Sequence, residues 1–231
     1  MKRNDQPGLN QRRSFLKQFA TGAAVLGTGI LSTPLAASAA ELSPSNSSDA
    51  DNWFNKVKGK HRMVFDVTQP HEIMPFAWPR IFMVTNAATG TPENDCGVVV
   101  ILRHNAIPYA MGHDLWAKYK FGEMFKINDE EKAPATRNPF WQPKPGTFKV
   151  PGIGTVAIGI NELQASGVMF GVCDMAMTVF SAVTAMGLKQ EPAEVKKEWI
   201  AGLLPGIQLM PSGVWAVGRA QEHGCTYCFA G

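Results

Sequence analysis

The heptapeptide Cys96–Leu102, CGVVVIL, carries five consecutive branched apolar residues and no charged or amide side chain. A half-exposed strand alternates polar and apolar residues, and a surface helix keeps a polar stripe. A run of this kind suits a strand buried on both faces, as in a parallel sheet between helices. The segment therefore demands covering layers, and the rest of the chain has to supply them.

It does so in alternation. Residues 61–67, HRMVFDV, read as a first strand, and residues 168–172 and 206–210 as later ones. Helices are expected over 75–88, beginning near Pro79, and less cleanly over 110–125. A helix is expected over 154–165, because Val156, Ile160 and Leu163 form a core-facing stripe closed by Gly167. Others are expected over 178–186 with Gly187 as cap, over 193–203 after Pro192, and from Ser212 to about 221. Strands separated by helices predict an α/β layered domain, a mostly parallel sheet with helices on both faces. Residues 129–149 carry four prolines, which excludes one regular element and suggests a lid, an oligomer contact or a plain surface excursion.

Open parallel sheets bind ligands at the carboxyl ends of their strands. The polar residues that follow the strands are Arg103, His104 and Asn105, then Cys173 and Asp174, then Ser212. Cys173 stands where a strand ends and a helix begins. A thiolate there meets the partial positive charge of a helix N-terminus, and Arg103 or His104 would stabilise it further. Asp174 opposes this unless it turns away. A small buried core residue accounts for the same cysteine equally well.

The N-terminus reads as an address. Lys2, Arg3, Arg12, Arg13 and Lys17 precede a short apolar stretch interrupted by glycines and Pro34, and Ala37-Ser38-Ala39 offers a cleavage site. QRRSFLK matches a twin-arginine signal, with Arg12 and Arg13 as its pair. The expected organisation is a signal over 1–39, a flexible polar tether over 40–58 and one domain over 59–231. The mature protein is then periplasmic, without a membrane span, after passage through the twin-arginine export machinery. The leader holds five of the 22 basic residues and one of the 19 acidic ones, so the mature chain is close to neutral. Neither nucleic acid nor an anionic membrane surface is indicated as a partner.

The tail EHGCTYCFAG brings together His223, Cys225 and Cys228. In an oxidising compartment the cysteines suit a disulfide, and with His223 they suit copper or zinc. The lack of a histidine after Cys228 excludes c-type haem attachment. Cys96 opens a buried strand and reads as core. PGIGTVAIG lacks the ending of a phosphate loop and reads as a loop leading into a helix. His61 and His71 flank the first strand, and His113 sits beside Asp114 in an expected helix. Of these His71 and His113 are weaker site candidates. Trp78, Trp116, Trp141 and Trp215 read as core or subunit contacts. No paired-carboxylate, Ser-His-Asp or dinucleotide pattern stands out.

Across residues 61–224 the chain resembles the DsrE-like family of small α/β sulfur-trafficking proteins. The resemblance rests on VVVILRHN, on ELQASGVMFGVCDMAM and on LLPGIQLMPSGVWAVGRAQEHG. It implies a Rossmann-like parallel sheet and assembly into trimers or hexamers. It also implies a site near the cysteine at Cys173, which would carry persulfide sulfur between a donor and an acceptor protein, as a sulfurtransferase-like carrier. Export and the added cysteine pair depart from the family pattern. Exchange of sulfur between that pair and Cys173 is a third reading of the tail. The alternative function is a non-enzymatic periplasmic module binding a metal or a partner through His223, Cys225 and Cys228.

Overall fold

The computed structural model describes residues 44–231, with side chains from Ser48 onward. The twin-arginine pair and the expected cleavage point lie outside the described residues. The buried run becomes the central strand β2 (Cys96–Leu102). It is flanked by β1 (His61–Val67) and β5 (Met169–Cys173), with β6 (Ile207–Met210) outside β5 and β7 (Thr226–Phe229) outside β1. All four pairings are parallel, so the main sheet has the order β6-β5-β2-β1-β7. The chain is α/β, with a five-stranded parallel sheet flanked by helices on both faces.

The distribution of helices follows from handedness. The chain steps β1, β2, β5, β6 in one direction across the sheet. Right-handed crossovers then put the intervening helices on one face. These are α2 (Met74–Ala88), α3 (His113–Tyr119), α4 (Phe121–Phe125), α5 (Ile160–Ala165), α6 (Asp174–Leu188) and α7 (Pro192–Ala201). From β6 the chain returns across the sheet to β7, so α8 (Gly213–Glu222) must cover the opposite face. Alternate residues of β2 divide accordingly. Val98, Val100 and Leu102 join the larger core, and Val99 and Ile101 join the smaller core under α8.

Several expectations are corrected. The polar stretch expected as a tether contains helix α1 (Pro44–Trp53). Ala50, Trp53 and Phe54 are buried in the smaller core beside Ala216 and Ala220. Burial of these apolar groups outweighs the poor helix propensity of the polar residues before them. The helix expected over 154–165 survives only as α5. Ahead of it, Lys149–Val150 (β3) and Gly154–Thr155 (β4) form a short antiparallel hairpin. Gly152 and Gly154 take φ of 78° and 93° there, conformations that suit a tight turn and not a helix. The helix expected to stop at Gly187 runs through it, and Lys189 makes the left-handed turn with φ 57°. The single helix over 110–125 splits at Lys120, also left-handed.

The proline-rich stretch is irregular yet packed. The Asn138 side-chain amide donates to Tyr109 O and Met111 O, both at 2.9 Å. Phe140 stacks on Phe148 at 4.9 Å and lies 4.2 Å from Phe76. Its turns thus carry part of the larger core.

Candidate functional site

The carboxyl ends of β2, β5 and β6 meet where the topology changes side. The connection after β5 rises into α6 on one face, and the connection after β6 leads to α8 on the other. Adjacent strands whose connections part in this way open a crevice at their carboxyl edge. Cys173 is registered beside Met210, and Val172 beside Leu102, which places Arg103, Cys173 and Ser212 in neighbouring positions along that edge.

Cys173 is itself the N-cap of α6. Its Sγ accepts the Ala176 N–H at 3.3 Å, so the sulfur faces the free N–H groups of the first helical turn. The residue is buried at the edge of the larger core, 7% exposed. Asp174 turns away from it. Its Oδ2 accepts from Lys196 Nζ at 2.9 Å, anchoring the carboxylate to α7. The carboxylate whose repulsion the sequence raised is thus partnered by an ammonium on the next helix.

Arg103 is fixed more firmly than its sequence position suggested. Its Nε and Nη2 donate to the two oxygens of Asp66 at 2.6 and 2.8 Å, a bidentate pair. Asp66 is 2% exposed, and its Oδ2 also accepts from the Tyr227 hydroxyl at 2.9 Å. The hydrogen bond to Asp66 is the main reason the Arg103 guanidinium is held above its ordinary range, with smaller contributions that include the Cys173 sulfur. The aliphatic stem of Arg103 lies against the first turn of α8. A Cβ on Gly213 would sit 2.5 Å from the Arg103 Cβ, so only glycine permits this approach. Ser212 caps α8, its Oγ accepting from Trp215 N–H at 3.1 Å. Burial and the Asp66 hydrogen bond push the Tyr227 hydroxyl up. It stays protonated at neutral pH and acts as a donor.

His104 takes a left-handed backbone with φ 50°, and its ring lies 5.8 Å from that of Phe180 on α6. Burial, then the charge of Arg103, lower its pKa, so the imidazole is neutral at pH 7. Asn105 is half-buried, and its backbone N–H donates to Thr68 O. A lowered histidine pKa means that the fold prefers the neutral ring. Stability is then complete above the ordinary histidine range and falls as acidification charges the unfolded chain first. His113 shifts in the same direction through burial and Arg137. Urea midpoints are expected to fall between pH 7 and 5, and more shallowly in His104→Asn, which keeps a residue tolerant of the left-handed turn.

The tail residues are not brought together. Cys225, just before β7, is buried in the smaller core, whereas Cys228 within β7 packs on the larger one, so the two lie on opposite faces of the sheet. Both are free thiols, as are Cys96 and Cys173. The His223 ring lies 5.8 Å from that of Phe54 on the Cys225 side. Burial pushes Cys225 up to about 11 and also raises Cys228, which leaves both thiols protonated at neutral pH. Among the described residues no three histidine, cysteine or acidic side chains are grouped to hold a metal. His113 serves the packing, its Nδ1 accepting from Asn138 N–H at 3.2 Å, and His71 packs edge-on against Trp78. A cavity of about 460 Å³ lies at the opposite, amino ends of β2 and β5. It is lined by Lys56, Lys58, Cys96 and Ser166 among others. The groups bearing chemistry gather at the carboxyl end instead.

Asp66 and Tyr227 escaped the sequence reading. Asp66 carried a usable signal: a lone acid inside an otherwise apolar strand must find a buried partner. Tyr227 carried none, because its strand was not recognised. No family model, curated protein or solved structure matches the chain.

Proposed function

We propose that the chain is an exported sulfur carrier of the DsrE-like type, in which Cys173 takes up and passes on persulfide sulfur. The observation that carries this reading is the capping of α6 by the Cys173 sulfur. The geometry provides N–H groups for negative charge on sulfur, with the Asp66-held Arg103 along the same edge. In the forward step the Cys173 thiolate attacks the outer sulfur of a donor persulfide R–S–SH. The donor S–S bond breaks, R–S⁻ leaves, and Cys173–S–SH forms. Delivery is the same exchange toward an acceptor thiolate, with no net oxidation or reduction.

Intact mass spectrometry of the purified protein after treatment with a low-molecular-weight persulfide tests this. One added sulfur is expected on the wild-type protein and on Cys225→Ser and Cys228→Ser, removed by a thiol reductant and absent in Cys173→Ser. Equal uptake by Cys173→Ser, or no uptake by a wild-type protein whose Cys173 alkylates only after denaturation, would overturn the reading.

A further inference from the structure

The cavity of about 460 Å³ lies at the amino ends of β2 and β5, the opposite end of the sheet from Cys173. Its size falls within the about 300–1,000 Å³ of small-molecule sites. One wall is held by Arg80 of α2, whose side chain is 15% exposed. Its Nε donates to Ala157 O at 2.9 Å, Nη1 to Glu93 Oε2 at 3.1 Å and Nη2 to Ser166 Oγ at 2.9 Å. A single guanidinium thus ties the turn before β2 (Glu93–Asp95) to the end of α5. The facing wall is the segment from Lys56 to Lys58, anchored by Val57 in the smaller core. A Cβ on Gly97 would stand 2.5 Å from Lys58 O, so glycine in β2 is what lets this segment cross so closely.

The polar groups around the cavity are unevenly engaged. Its acceptors are occupied. The Glu93 carboxylate is paired with Arg80, and Ser166 Oγ accepts from Arg80 while donating to Glu162 O at 3.1 Å. The Cys96 thiol adds no charge, because burial and then the charges of Asp95 and Glu93 push its pKa up. The donors, by contrast, are free. Among the described residues neither Lys56 nor Lys58 has an acidic partner, and the Asn94 amide has no hydrogen-bond partner. The lining therefore carries two unpaired positive charges beside a neutralised carboxylate and a neutral thiol. Val57, Val98 and Met169 add an aliphatic patch. Free donors with surplus positive charge suit a ligand rich in acceptors, and the patch suits an apolar body on the same ligand. A metal cation would be repelled, and a bare inorganic anion would leave the patch uncovered.

We infer that this cavity binds a small organic anion with an aliphatic body, its acid group held by Lys56 and Lys58 and its chain laid on Val57, Val98 and Met169. The inference does not depend on the sulfur chemistry. Amide NMR spectra of the isotope-labelled full chain, recorded during titration with sodium hexanoate, test it. Hexanoate is expected to shift the Asn94, Gly97 and Gly167 amides saturably. Acetate, which lacks the chain, and hexylammonium, which reverses the charge, are expected to leave them in place. Lys56→Gln/Lys58→Gln, changed only at exposed positions, is expected to bind hexanoate about fivefold more weakly with an unchanged far-UV spectrum. Lys56→Arg/Lys58→Arg is expected to bind as the wild type does. No saturable shift at these amides, an equal response to hexylammonium, or wild-type affinity in the glutamine variant would each overturn the inference. Shifts confined to amides beside the exposed Val179 and Val183 would place hexanoate on α6 instead and overturn it as well.

Discussion

Replacing Arg103 by alanine is expected to cost about 3–5 kcal/mol of folding stability, the range for removing one partner of a buried ion pair. The size follows from what remains. Asp66 is 2% exposed and loses both guanidinium bonds, keeping only the Tyr227 hydroxyl. An uncompensated carboxylate there must either stay charged in a poor environment or take up a proton. Asp66→Asn is expected to cost less, because an amide is cheaper to bury and Arg103, which is partly exposed, can turn toward water. The double variant Asp66→Leu/Arg103→Met is expected to recover most of the loss. Urea midpoints of the four proteins check this order. If Arg103→Ala unfolds at the wild-type midpoint, the pair is not the structural anchor of this edge.

The second large effect concerns the proline-rich stretch. Phe140→Ala is expected to cost about 3–5 kcal/mol, as for other buried aromatic truncations. The ring lies among Phe76, Tyr109 and Phe148, with centroids at 4.2, 5.4 and 4.9 Å. The same cluster joins α2, the turn after β2 and residues 138–148, so its loss should also loosen the segment. Limited proteolysis is expected to cut near residues 129–149 in Phe140→Ala and to spare the wild type. A mobile lid would behave otherwise, with little change in stability and cleavage in both proteins.

How much of this could be read beforehand differs by residue. Strands β2 and β5 were legible because they are covered on both faces and so leave uninterrupted apolar runs, and β1 and β6 because short, mostly apolar stretches stand between helical segments. β7 was not, because TYCF is short and lies at an edge with Tyr227 and Phe229 exposed. Its cysteines drew the reading toward metal or disulfide chemistry instead. The positions of Cys173, Arg103 and Ser212 at strand ends were legible from the alternation of elements. The Asp66–Arg103 pair was not, since it depends on the register of β1 against β2, which no local pattern records.

The place of β7 bears on the order in which this protein can be assembled. β1 gains β2 as a neighbour after a single crossover, and β5 and β6 then add in sequence. The other edge of β1 pairs with Thr226–Phe229, at Met63↔Thr226 through Asp66↔Phe229. A chain emerging from the ribosome therefore holds β1 with one bare edge while nearly all of its partners are already made. Closing that edge is a long-range step, costly in chain entropy and slow by its topology. It is the same step that carries Tyr227 to Asp66, so the Asp66–Arg103–Tyr227 cluster is complete only once β7 has docked. Until then the open edge offers unpaired backbone to other chains, and a nascent form of the protein is most exposed to misassociation at the strand that later sits beneath its own site.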